Sequence, residues 1–211
     1  NEILVKIKSS GICGTDVMEW YRIKKGPRIL GHEISGEIVE SNSEKFKQGQ
    51  RVFVSHHVPC NNCKYCLENN HTACETLHTG NFDPGGFSEH VRVPKLNVEK
   101  GTFILPENVS YEEGTFVEPL ACVVRGQRII NLKKNHNVLV LGSGISGLLN
   151  IQLAKLIGAK VTATDVDDYR LNKAKQFGAD EVYHAEKFKP KNKFDKIIIC
   201  TGAMPAFGQA F

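Results

Sequence analysis

The sequence predicts an α/β chain in two parts, a β-rich domain over residues 1–131 and a parallel-sheet domain over residues 132–211. Three observations carry this. The first part holds several short runs in which apolar and polar residues alternate, the period of a half-buried strand. Asn137 to Asp168 reads as apolar strand, glycine turn, amphipathic helix and second strand, the start of a sheet with crossover helices. The polar stretch "NLKKNHN" between them interrupts both patterns and sets the seam.

In order, the expected strands of the first part are Ile3–Lys8, Ile34–Glu40, Arg51–Ser55 and Phe87–Val93, with "DPGG" at Asp83–Gly86 as a turn. Ser110 and Glu113 form an S-x-x-E capping box. It opens a helix that runs through Glu118 toward Ile130, with Pro119 as a local disturbance. In the second part Val138–Leu141 is a continuous apolar strand, the kind buried on both faces. A helix follows to Ile157 with Gly158 as its stop, then the strand "KVTATD", a helix near Tyr169–Phe177, a short strand at Glu181–His184 and a buried strand at Lys196–Cys200. The chain opens directly on strand-like sequence and ends as another helix begins, which suggests part of something longer.

Composition is that of an ordinary globular protein, with 41% hydrophobic and 24% charged residues and a formal net charge of +4. The densest basic stretch, Lys187, Lys189, Lys191, Lys193 and Lys196, reads as a solvated loop, so no nucleic-acid partner is expected. No apolar run reaches the length of a membrane span and the start is not a signal peptide.

Cys60, Cys63, Cys66 and Cys74 form C-x-x-C-x-x-C-x7-C. Cysteines this close make poor disulfide partners in a chain with no secretion signal. The ferredoxin pattern places its fourth cysteine differently and follows it with proline. A closed tetrahedral zinc site with four thiolates remains, contributing stability and no chemistry. Asn61, Asn62, Asn69 and Asn70 suit the tight loops it needs, and His71 and His78 read as surface residues. Three other side chains, Cys13, His32 and Glu33, together with Glu118, supply the thiolate, imidazole and carboxylate mix of a catalytic zinc site. Glycines at 11, 14, 31 and 36 stand around them at tight-turn positions. Any one of these residues alone reads as core or surface. Cys122 and Cys200 are assigned to packing.

Gly142, Gly144 and Gly147 make G-x-G-x-x-G between strand and helix. The first makes the turn, the second admits the pyrophosphate, and the third lets helix and strand pack closely. Phosphates then face the helix start at Ile145. Asp165 ends the second strand where a carboxylate can hold a ribose diol and repel a 2′-phosphate, which favours NAD over NADP; Arg170 is near enough to count against that choice.

"CGTD" at 13–16, "GHEISGE" at 31–37, the four-cysteine lobe, "GGFSEHVRVP" at 85–94, "EPLAC" at 118–122 and "GSGISG" at 142–147 resemble the zinc-dependent medium-chain dehydrogenases, most of all their polyol (sorbitol-type) and threonine branch. The resemblance spans essentially the whole chain. It implies a GroES-like domain carrying both zinc sites and a Rossmann domain, each incomplete here. It implies catalytic zinc on Cys13, His32 and Glu33, with Glu118 either a ligand or a partner of the zinc-bound water, and structural zinc on the four cysteines. It also implies a homo-oligomer, a tetramer or dimer, while reduced thiolates and NAD use point to the cytoplasm.

The expected reaction is oxidation of a secondary alcohol in a polyol, sugar or cyclitol, with hydride passing to NAD in a cleft between domains. The proton leaves through the Thr15 hydroxyl or a water linked to Glu118. Thr15 serves equally well as a turn hydroxyl. In relatives a histidine often follows "CGTD" and relays the proton. Met18 stands there instead, with His56 and His57 as substitutes if they are more than polar surface. Trp20, Phe82 and Phe87 are candidates to line the substrate side, or to be core. Threonine oxidation is the alternative within the family, and a zinc-stabilised binding module the alternative outside it.

Overall fold

A computed structural model describes residues 1–190 and 193–211; Lys191 of the basic run lies outside them. The chain divides into two compact units, Asn1–Glu118 and Pro119–Phe211. The division falls inside one helix, upstream of the polar turn at 131–137.

The first unit is built on β1 (Ile3–Gly11), β2 (Glu33–Ser41), β3 (Arg51–Ser55), β4 (His90–Val93) and β5 (Thr102–Ile104). They form a five-stranded antiparallel sheet in the order β4-β1-β2-β3-β5. Alternation places Ile3, Val5, Ile34, Ile38, Val52, Val54, Val91 and Val93 in one buried cluster with Phe46, Phe82 and Val98. Burying each aliphatic side chain fully contributes about 1.5–3 kcal/mol, so this cluster fixes the register of β1 on β2. Short helices decorate the sheet: α1 (Glu19–Arg22), α2 (Lys64–Leu67), α3 (Glu75–Thr79), α4 (Lys95–Gly101) and α5 (Tyr111–Gly114). The long helix α6 spans Val117–Ile129.

Three expectations differ from this. The strand expected at Phe87–Val93 begins only at His90, because the Phe87 amide donates to the Leu30 carbonyl and the Gly86 amide to Gly31, away from the ladder. The helix expected from Ser110 onward is two helices broken at Thr115 and Phe116. Its capping box is present: the Glu113 amide donates to Ser110 Oγ and the Ser110 amide to Glu113 Oε2. Pro119 sits in the first turn of α6, where its missing N–H costs little.

The second unit carries β6 (Asn137–Leu141), α7 (Ile145–Ile157), β7 (Lys160–Asp165), α8 (Asp168–Gln176), β8 (Glu181–His184), β9 (Lys196–Ile199) and α9 (Met204–Ala210). The strands are parallel in the order β8-β7-β6-β9. Gly158 ends α7 in the left-handed conformation, and the amide of Ala159 returns to Ala154, a Schellman-type stop. Strand β9, expected to be buried, is half-exposed, because among the described residues it is an edge strand with β6 on one side only.

Candidate metal centres and dinucleotide turn

The antiparallel register pairs Gly11 with Glu33. Cys13 lies just beyond the end of β1, and His32 and Glu33 lie at the start of β2, so the pairing brings residues 19 positions apart in sequence to one end of the sheet. A Cβ at position 11 would push the Glu33 carboxylate aside, so the glycine leaves that side chain its place beside Cys13 and His32. One ligand atom each from Cys13, His32 and Glu33 lie within 4.8 Å of one another. Three residues named from their chemistry are therefore brought together by strand pairing.

The electrostatics suit a cation. Cys13 is held below the ordinary thiol value, first by its hydrogen bond with His32, against the cost of burial and with help from the Thr15 hydroxyl and amide. His32 is raised, first by the same bond with Cys13 and further by Asp16 and Glu118. Glu33 is raised mainly by burial. Three groups crowded together, with acidic charge in excess, are what a divalent ion neutralises. His32 Nδ1 lies 3.6 Å from Asp16 Oδ1. A carboxylate there favours the proton on Nδ1 and leaves Nε2 its lone pair, the arrangement of a metal-binding imidazole. Glu118 is outside the three-residue set but close enough to bias both His32 and Glu33.

The four cysteines also converge. Their sulfurs stand 3.5 Å (Cys63–Cys66), 3.6 Å (Cys74–Cys60) and 3.9 Å (Cys60–Cys66) apart. Zinc–sulfur bonds in a tetrahedron require about 3.8 Å between sulfurs, whereas a disulfide requires about 2 Å. Asn61 and Asn69 take the left-handed conformation that the loops demand. Amides of Cys60 and Cys63 donate to the sulfurs of Cys74 and Cys60. Backbone donors, the Cys60 amide first, bring Cys74 down to about 6, while burial first of all pushes Cys66 up to about 12. Cys74 and Cys66 are thus driven in opposite directions within one cluster. Over residues 58–80 only Val58, Cys66 and Cys74 are buried, so the lobe has no apolar core of its own to hold it.

In the second unit Gly142 takes φ 95°, and a Cβ on Gly147 would collide with the Gly142 carbonyl. Both glycines are therefore required by geometry. Gly144 is the N-cap of α7 and offers no side-chain acceptor to the first-turn amides, which leaves them for an anion. Ile145 is the exposed first residue of that helix. Asp165 ends β7 and is buried, its Oδ2 accepting from the Ser143 amide at 2.7 Å and its Oδ1 from Asp167 at 3.1 Å. Each oxygen keeps a second lone pair. Arg170 is exposed in the first turn of α8.

Several side chains fall elsewhere than the sequence placed them. Cys122 is exposed on α6, so its assignment to packing is wrong: the helix buries the face that carries Val123 and Gln127, and Cys122 lies off it. Cys200 does pack, half-buried against the α7 core, with Asn150 donating to its sulfur. Phe82 is core, while Trp20 and Phe87 are exposed. His71 is half-buried, unlike exposed His78. His56 is more than polar surface. Its ring lies tilted against His32 at 4.7 Å between centroids and against His57 at 3.8 Å, and burial holds it neutral, down to about 3. Sequence reasoning missed Asp16 and Arg22, which surround Thr15; only the placement of Asp16 three residues after Cys13 offered a signal.

The first unit holds a thiolate–imidazole–carboxylate cluster and a four-cysteine cluster, each able to hold a metal ion, and the second holds a parallel-sheet glycine turn of the kind that receives a dinucleotide. Residues 1–104 match the alcohol dehydrogenase GroES-like domain and residues 146–211 the zinc-binding dehydrogenase domain. The chain is 34% identical over 97% of its length to galactitol 1-phosphate 5-dehydrogenase of Escherichia coli K12. It is 35% identical over 96% to L-threonine 3-dehydrogenase of Bacillus licheniformis. An Escherichia coli CFT073 structure described as a short chain alcohol dehydrogenase with NADH superposes on 99% of the chain and 64% of its own, with TM-score 0.84 and 31% identity. The chain belongs to the zinc-dependent medium-chain dehydrogenases, in the polyol and threonine dehydrogenase branch. It spans 62% and 60% of the lengths of those two curated relatives. No helix among the described residues is long and apolar enough to cross a membrane.

Proposed function

We propose that this chain carries the metal-binding and nucleotide-binding parts of a dehydrogenase that oxidises a secondary alcohol in a polyol, sugar or cyclitol to a ketone. NAD, held at the glycine turn, would supply the hydride acceptor. Convergence of Cys13, His32 and Glu33 at one end of the β1–β2 pair carries this reading. Galactitol 1-phosphate 5-dehydrogenase among the relatives supports the substrate class.

In this reading Cys13, His32 and Glu33 hold the catalytic zinc, and Cys60, Cys63, Cys66 and Cys74 the structural one. A zinc ion at the first site supplies Lewis acidity, lowering the pKa of an alcohol hydroxyl toward neutrality. Glu118, whose charge reaches His32 and Glu33, serves as fourth ligand or as acceptor for a water. Thr15 offers a hydroxyl beside Cys13. Gly142, Gly144, Ile145 and Gly147 cradle the pyrophosphate, and Asp165 accepts from the ribose. Its carboxylate disfavours a 2′-phosphate, while exposed Arg170 works the other way. We place the protein in the cytoplasm as a homo-oligomer, a tetramer or dimer, and set the seam between catalytic and nucleotide domains at residues 131–132.

Oxidation of L-threonine is the second reading, supported by the threonine dehydrogenase relative. Turnover of a polyol panel against L-threonine by the full-length protein separates the two. Metal analysis of this chain tests the site: two zinc ions per chain are expected, and one after Cys13→Ala. A single zinc ion that Cys13→Ala leaves in place would return the chain to a metal-stapled binding module.

A further inference from the structure

We propose that Arg22 is a positioning residue for the three-residue cluster, a fixed positive charge that holds Thr15 and Asp16 so that Cys13 and His32 face a divalent ion. The inference rests on the catalytic-zinc reading above.

Arg22 closes α1 and folds back over the turn after β1. Its Nε donates to the Thr15 carbonyl at 2.6 Å. Its Nη2 donates to Thr15 Oγ1 at 3.2 Å and to Asp16 Oδ1 at 3.0 Å. The Asp16 side chain is only 3% exposed. Its other oxygen accepts from the Cys13 amide at 3.1 Å, and the oxygen shared with Arg22 faces His32 Nδ1. Asp16 is thus the hub through which Cys13 and His32 are oriented, and Arg22 is the permanent cation beside it. A buried carboxylate left without its cation is strongly destabilised. Without Arg22 to hold it, the Asp16 side chain is free to turn toward water and release His32.

The second consequence falls on Thr15. Its oxygen accepts from a guanidinium, so its own proton is directed elsewhere, and the Cys13 sulfur is the partner that benefits. A guanidinium has donors and no acceptor, and does not deprotonate in proteins. A proton arriving at Thr15 therefore finds no base in Arg22. Where a titrating relay would hand the proton on, this chain has a clamp, and Met18, the N-cap of α1, is exposed and has no transferable proton.

The experiment replaces zinc with cobalt(II) in the parent chain and in Arg22→Ala, Arg22→Gln and Arg22→Lys. The two sites are followed separately, the four-thiolate clamp by its stronger sulfur-to-metal absorption. Loss of an outer-shell partner typically weakens metal affinity 10–100-fold. Arg22→Ala and Arg22→Gln are expected to weaken the Cys13 site by about that factor and leave the clamp unchanged. Arg22→Lys should recover part of the loss, and millimolar guanidinium ion should recover Arg22→Ala. Equal cobalt affinity in parent and variants overturns the inference. So does parallel loss at both sites without guanidinium rescue, which marks Arg22 as only a folding residue. A parent that takes up one cobalt alone instead defeats the zinc reading on which the inference stands.

Discussion

At the residue scale, the side chains that decide this chain's behaviour are those whose charge has been arranged by backbone neighbours. Asp180 is one outside the metal sites. Burial raises its pKa, but the Lys155 ammonium, 2.8 Å from both oxygens, and the Val161 amide outweigh that and hold it below the ordinary carboxylate value. A depressed folded-state pKa contributes stability that is present above the unfolded value and lost as pH falls through the folded one. Because the pair is about one-third exposed, the effect is modest. Asp180→Asn should lower the urea midpoint at pH 7, and the gap to the parent should narrow steadily below about pH 4. A gap that stays constant down to pH 3 would show that the pair does not titrate with folding.

Residue identities also show what a sequence can and cannot disclose. Cys13, His32 and Glu33 were legible because thiolate, imidazole and carboxylate together have few uses besides a metal, and glycines marked the turns. Asp16 and Arg22 were not, because an aspartate and an arginine six residues apart specify no rotamer; only the fold shows the guanidinium turned back onto Thr15. His56 stayed between relay substitute and polar surface for the same reason: its tilted ring contact with His32 depends on β3 lying beside β2.

At the element scale, periodicity served well where one face of an element is buried. β3, β7 and β8 begin and end where alternation or apolar runs place them. It failed at Phe87–Glu89, where the Phe87 amide is taken by the Leu30 carbonyl and the Ser88 hydroxyl by the Gly85 and His90 carbonyls, so only the Glu89 carbonyl meets β1. It failed again at β9, whose burial depends on neighbours that an apolar run does not specify. Two element-scale outcomes follow. Ser110→Ala removes the acceptor at the start of α5, an element also tied to β2 by the Ser35 hydroxyl donating to the Tyr111 carbonyl. The expected cost is about 1 kcal/mol, read as a shifted denaturant midpoint with metal content unchanged; an unmoved midpoint argues that the cap is redundant. Gly147→Val places a side chain against the Gly142 carbonyl. NADH binding, followed by fluorescence, should weaken at least tenfold, about 1.4 kcal/mol, while both metal sites fill as in the parent. Undiminished NADH binding would mean that the turn relaxes around the new side chain.

At the scale of the whole molecule, the two units draw their stability from different sources. The second rests on a continuous apolar cluster around Val138, Val140, Ile151 and Val161. The first has its own apolar cluster but also carries the four-cysteine lobe, whose buried residues are too few to order it, so metal binding there is part of folding. A chelator strong enough to strip both sites should therefore expose residues 58–80 to protease first and leave Pro119–Phe211 protected. Simultaneous cleavage throughout both units would indicate one cooperative block.

The pairing of Gly11 with Glu33 has a consequence beyond catalysis. A strand slipped by one position sends every side chain to the opposite face, so a misaligned β1 would carry Cys13 away from His32 and forfeit the ion along with part of the core. In the reading proposed above, an ion held by Cys13, His32 and Glu33 would therefore also report that the two central ribbons are correctly aligned.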